Sequence, residues 1–185
     1  MSEEELIILA RKGNTSAFQQ LVEIYYPVVE RFAYQLGNRH DEIEDITQEV
    51  FIRVYRFINQ FSKAKFTTWL YKITLNVTRD SARKRSQNLK RVIRFKHEVQ
   101  EAFPEVESHI IQNEEDRNLH KCLQRLDEKY RIPIVLYYFH DKKYEEIAEI
   151  TSLTLSTVKT RILRGKAILK KSLEEIEEKE GKNHG

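Results

Sequence analysis

The sequence predicts an all-α protein made of two small helical domains joined by a flexible linker. Three observations lead there. Apolar residues recur at intervals of three and four almost throughout the chain, the repeat of an amphipathic helix. Glycine (5) and proline (3) are too scarce among 185 residues to punctuate a many-stranded sheet. From Asn88 to about Ile111 the periodicity weakens, Pro104 intervenes, and the charge changes sign, which reads as a linker. The predicted division is 1–87 for the first domain, 88–112 for the linker, 113–178 for the second domain and 179–185 for a charged tail.

Leu6, Leu9 and Ala10 mark a short first helix ending near Gly13. Thr15 or Ser16 is expected to cap the second, which carries Phe18, Leu21, Val22, Tyr25, Val29, Phe32 and Leu36. Gly37-Asn38 ends it, and Asp41 with Glu44 three residues on has the form of a capping box for the third. That helix places Ile43, Ile46, Val50, Val54 and Phe57 on one stripe. A lysine-rich loop follows, then a fourth helix with Phe66, Leu70, Ile73 and Val77 inward, basic from Arg79 onward. Cys122 shares an apolar row with Leu119 and Leu126, the setting of a small core residue.

Charge is distributed unevenly. Lys72 to Lys96 holds nine basic residues against one acid, Asp80; Glu98 to Asp116 holds seven acids and no lysine or arginine; Ser156 to Lys171 holds six bases and no acid. Two basic blocks around an acidic spacer suggest two surfaces for a polyanion, although each alone would pass as a solvated helix face. A single cysteine suits a reducing compartment. The glutamate-rich start has no leader-like pattern, and no apolar run approaches the ~20 residues of a membrane span, so a cytoplasmic location is expected.

Tyr144 to Lys171 reads as a helix-turn-helix. Ile147 and Ala148 face inward on its first helix, Leu153 points back from the turn, and Leu155, Val158, Ile162, Gly165 and Leu169 form the inner row of the second. Ser156, Lys159, Thr160, Leu163 and Arg164 share the outward face, the part that enters a major groove. Arginine and lysine donate to guanine edges, serine and threonine to bases or phosphates, and leucine packs on a thymine methyl. A plain helical hairpin with a basic face is the competing reading. Ser152 stands in the turn where glycine often sits.

Further motifs narrow this. Asp45-Ile46-Thr47-Gln48-Glu49-Val50-Phe51-Ile52-Arg53 is followed by Phe66-Thr67-Thr68-Trp69-Leu70-Tyr71-Lys72-Ile73 and Asn76. Tyr130-Arg131, Pro133-Ile134-Val135-Leu136, Glu146-Ile147-Ala148-Glu149-Ile150 and Thr157-Val158-Lys159-Thr160-Arg161 come later. This ordered set, from about Ala17 to Leu173, resembles the extracytoplasmic-function (group IV, ECF) sigma factors of the sigma-70 family.

The resemblance implies an alternative sigma factor, free of cofactor, metal and catalytic residues, that directs promoter-specific initiation in a stress or envelope response. It assigns Asp45, Gln48, Glu49, Ile52 and Arg53 to the clamp helices of the largest subunit of core RNA polymerase, with the flap of the second-largest as a further contact. It assigns Phe61, Lys63, Lys65, Asn76, Arg79, Arg83 and Lys84 to recognition and melting of the −10 element. Phe61 and Phe66 beside the loop lysines have the composition of a single-strand platform, whereas Trp69 with Phe66 and Ile73 reads as core. Ser156, Thr157, Lys159, Thr160, Arg161, Leu163, Arg164 and Lys166 fall to the −35 element, with Arg161 and Lys166 on phosphates. A membrane-linked anti-sigma factor is the expected regulator. A helix-turn-helix regulator without sigma activity is the alternative, but it would need a receiver or ligand domain where none is patterned. A nuclease would need clustered carboxylates or histidines, and the six histidines are scattered.

Overall fold

The computed structural model describes residues 1–61, 65–93 and 114–183. Within them the regular structure is helical, and it forms two compact units. The first contains α1 (Glu3–Arg11), α2 (Thr15–Gln35), α3 (His40–Phe57), a 3₁₀ turn (Ile58–Gln60) and α4 (Phe66–Ile93). The second contains α5 (Glu114–Arg125), α6 (Glu128–Tyr138), α7 (Tyr144–Thr151) and α8 (Leu155–Asn183). Helix α4 thus continues to Ile93, beyond the expected domain end at Gln87, and α8 runs through most of the expected tail. Lys63 and the linker residues 94–112 lie outside the described residues.

In the first unit, short polar side chains set where helices begin. Ser2 and Glu5 form a capping box on α1, each accepting the other's backbone N–H at 3.3 and 2.8 Å. Asn14, not Thr15 or Ser16, caps α2: its Oδ1 accepts the Ala17 N–H at 2.9 Å. The expected Asp41–Glu44 box is also displaced. Helix α3 starts two residues earlier, with Arg39 at the cap position, so Asp41 lies within the first turn and pairs with Arg39 at 3.0 Å. Its carboxylate there complements the positive end of the helix dipole.

The core of this unit combines Leu6, Ala10, Leu21, Val29, Ile43, Ile46, Val50, Val54, Phe66, Leu70 and Val77. Phe57 leaves the expected stripe and is 39% exposed, while Ile58 is buried. The switch from α to 3₁₀ geometry tightens the turn at Ile58 and rotates the next side chain inward. On α4, Ile73 is only half-buried, and Tyr71 and Leu75 join the core, with Tyr71 edge-on to Phe32 at 4.9 Å. Each large apolar side chain buried here contributes about 1.5–3 kcal/mol.

The second unit is built on α6, whose Ile132, Pro133, Ile134, Val135 and Leu136 are all buried. Asp127 caps it by accepting the Lys129 N–H at 2.9 Å. Cys122 sits in the core with Leu123 and Leu126, as the apolar row predicts. Helix α8 packs chiefly on α6 and also on α5 and α7.

Candidate functional site: two basic helix faces

The helix-turn-helix is α7, the turn 152–154 and the first half of α8. Ser152 adopts a left-handed conformation (φ 56°, ψ 37°), which explains why glycine is common at such a position. The Leu153 N–H then bonds the Ala148 carbonyl at 3.0 Å, and half-buried Leu153 turns back onto the unit. Thr154 caps α8, its Oγ1 accepting the Thr157 N–H at 3.2 Å. Together these fix the angle at which α8 leaves the turn.

The inner row of α8 is Val158, Ile162 and Gly165, with Leu169 half-buried. Leu155 does not belong to it: at the first position of the helix it is 38% exposed. At Gly165 α8 lies close against α6. A Cβ there would lie 3.1 Å from both Tyr130 Cβ and Ile134 Cγ1.

The opposite side of α8 carries Ser156, Lys159, Thr160, Leu163, Arg164 and Lys166, all exposed, with Leu163 at 71%. Thr157 and Arg161 are half-buried at its edge. The Thr157 hydroxyl lies 2.7 Å from that of Thr154, and the Thr160 hydroxyl donates to the Ser156 carbonyl at 3.0 Å. Lys166 Nζ lies 6.0 Å from the centre of the Tyr138 ring. Beside this face is an open cleft of about 320 Å³ where Lys129 and Tyr130 of α6 meet Ser156, Thr160 and Arg164. Sequence marks Tyr130 only as part of a motif and Lys129 not at all, because their proximity to α8 depends on tertiary packing.

In the first unit, Asp45, Gln48 and Ile52 are exposed on α3 at helical spacing, while Glu49 and Arg53 are half-buried on its flank. Arg53 is held from both sides. Its Nε donates to Glu49 Oε1 at 2.8 Å and its Nη1 to Asp80 Oδ2 at 3.0 Å, so those carboxylates, Glu49 first, favour its charged form further. Glu42 and Arg85 form a second ion pair between α3 and α4.

On α4, Asn76, Arg79, Arg83 and Lys84 are exposed. With Lys72, the first three recur at intervals of four, three and four, which places them on one face. Lys65 is exposed at the start of the helix. Phe61 is half-buried, its ring 5.8 Å from Phe66 and 5.3 Å from half-buried Trp69. The structure therefore places Phe61 and Trp69 in one partly covered aromatic cluster. Asp80 was visible in sequence only as the lone acid of a basic stretch; its pairing with Arg53 crosses 27 residues. Among the described residues, no histidine, cysteine and carboxylate group could hold a metal ion, and no helix is long and apolar enough to cross a membrane.

A helix-turn-helix with a basic outer row, preceded by a helical unit bearing a second basic row, defines a two-unit helical DNA-binding protein. Known proteins narrow this further. Residues 21–88 match the family description "Sigma-70 region 2", and residues 116–169 match "Sigma-70, region 4". The ECF RNA polymerase sigma factor SigW of Bacillus subtilis is 35% identical over 178 residues, 90% of this chain and 94% of that protein. The ECF RNA polymerase sigma-E factor of Escherichia coli K12 is 28% identical, over 90% of this chain and 91% of that one. CnrH, solved in complex with the cytosolic domain of CnrY, superposes with a TM-score of 0.67 at 26% identity, covering 91% of this chain and 95% of that chain. The chain belongs to the ECF sigma factors of the sigma-70 family. It is an alternative sigma factor, a transcription initiation factor that acts with RNA polymerase at promoter DNA.

Proposed function

We propose that the chain works in the cytoplasm, without catalytic activity of its own, and divides promoter recognition between its two units. Asp45, Gln48, Glu49, Ile52 and Arg53 dock on the clamp helices of the largest polymerase subunit. The loop from Phe61 to Lys65, with Lys63 inside it, and Asn76, Arg79, Arg83 and Lys84 handle the −10 element and its melting. Ser156, Thr157, Lys159, Thr160, Arg161, Leu163, Arg164 and Lys166 handle the −35 element, and the second unit also meets the polymerase flap. Residues 1–87, 88–112 and 113–178 are the working divisions.

The supporting observation is shared by α3, α4 and α8: each buries one row and leaves these residues largely on the other. Thr157 then acts mainly through the cap it makes with Thr154. Arg161 and Lys166, at the margins of the row, suit phosphates, while Lys159, Thr160, Leu163 and Arg164 suit base edges. A stress or envelope role agrees with the ECF relatives. A membrane-linked anti-sigma factor is the regulator we expect; the similar CnrH was solved in complex with the cytosolic domain of CnrY.

Run-off transcription with purified chain, core polymerase and a promoter library tests this reading. Initiation at a defined class of sequences is expected. Failure to initiate at any sequence would instead leave a DNA-binding regulator.

A further inference from the structure

Asp80 is the one acid between Lys72 and Lys96, and it lies beside the face that carries Asn76, Arg79 and Arg83. On charge alone it is out of place, because a carboxylate among phosphate-facing bases repels a polyanion. Its geometry points to a use. Oδ2 accepts from Arg53 Nη1 at 3.0 Å, and Oδ1 accepts from Arg83 Nη2 at 2.9 Å. Arg53 is also gripped by Glu49, at 2.8 Å. The result is a charged chain, Glu49–Arg53–Asp80–Arg83, running from the flank of α3 to the basic face of α4.

The two ends of this chain differ. Arg53 and Asp80 are shielded, with side chains 28% and 33% exposed, whereas Arg83 is 71% exposed. Asp80 is thus anchored through Arg53, and Arg83 is held at one nitrogen with most of its side chain in solvent. A guanidinium has five donors in a planar fork. One bond to Asp80 restrains the guanidinium and leaves donors for a phosphate or a base edge. Restraining the fork beforehand removes part of the ordering cost on binding.

From this we infer that Asp80 is a positioning residue for promoter recognition: anchored by Arg53, it orients Arg83 toward DNA. The inference rests on the proposed placement of α4 at the −10 element. It predicts an effect opposite to that of charge alone. Replacing Asp80 removes a repulsive group yet weakens specific binding.

The test uses holoenzyme assembled from the full chain and core polymerase, a promoter recovered by run-off selection, and a random duplex of equal length. Asp80→Asn keeps the size but leaves one carbonyl oxygen for two arginines. It is expected to weaken promoter binding about three- to tenfold, within the range of one ordinary hydrogen bond, with no loss on the random duplex. In an Arg83→Ala background the same substitution should give no further loss. Arg83→Lys, which keeps the charge but not the fork, should lose promoter binding similarly while retaining the salt dependence; it serves if Asp80→Asn unfolds the chain. Equal or tighter promoter binding by Asp80→Asn, or an equal loss with and without Arg83, would overturn the inference and leave the functional reading intact. Absence of any initiation by the unaltered holoenzyme would remove both.

Discussion

Gly165→Ala sets two well-measured effects against each other, and their balance gives a sign. Alanine in a helix interior is favoured over glycine by about 1 kcal/mol. Against this, the new methyl would sit 3.1 Å from Tyr130 Cβ and Ile134 Cγ1. Carbon atoms prefer about 3.5–4.0 Å, so α6 and α8 must separate by several tenths of an ångström unless a neighbour yields. Neither is able to yield cheaply. Tyr130 Cβ is fixed to the α6 backbone, and Ile134 is fully buried with a β-branched, stiff χ1. Overpacking of this kind costs about 1–3 kcal/mol, so the net change is a destabilisation of roughly 1 kcal/mol. For a unit of this size that lowers its melting temperature by about 4–8 °C. The single tryptophan, Trp69, lies in the first unit and supplies a built-in control. Far-UV circular dichroism of the full chain should show an earlier transition, while the Trp69 fluorescence melt stays in place. A rise in the circular dichroism transition would show that helix propensity wins and that the α6–α8 contact is looser than the distances require.

Three further outcomes are expected. Arg164→Ala should weaken promoter-specific binding by about 1–3 kcal/mol and relax the choice at one base position; equal loss on specific and random duplexes, measured by fluorescence anisotropy, would contradict a base-facing role. Asp45→Lys with Glu49→Lys should abolish binding to core polymerase while DNA binding by the second unit persists, and a pull-down with unchanged polymerase affinity would exclude the docking role of α3. Burial, reinforced by Arg131, holds the half-buried His120 imidazolium below the ordinary histidine range. The unfolded chain then takes up that proton first, so stability is retained above about pH 6.5 and lost as pH falls through the histidine range. His120→Gln should flatten this part of a stability–pH curve, and identical curves would show that other groups set it.

What could be read from sequence was the periodic part. Ile43, Ile46, Val50 and Val54 on α3, and Val158 and Ile162 on α8, follow the helical repeat and are buried. Most misplacements fall at helix ends, where the repeat no longer governs; half-buried Ile73, inside α4, is an exception. Phe57 and Leu155 are apolar residues at the last and first positions of their helices, and each is turned toward solvent. The caps moved by one or two residues because Asn14 and Arg39 offered competing start points. The outer row of α8 was legible because it is the complement of a buried row. The Arg53–Asp80 link was not, since nothing local distinguishes two charges on separate helices from two solvated ones.

Helix α4 is about 42 Å long by the rise of an α-helix, and its labour is split along its length. Every buried residue of α4 lies at or before Thr78, and from Arg79 to Arg91 no described side chain is buried. Substitutions in the distal part therefore meet little resistance from the core, although Asp80 and Arg85, among others, hold partners. Folding and surface chemistry are thus carried by different halves of one helix. If the distal half reads promoter DNA as proposed, a few changes there alter the preferred sequence while the proximal half keeps the unit folded.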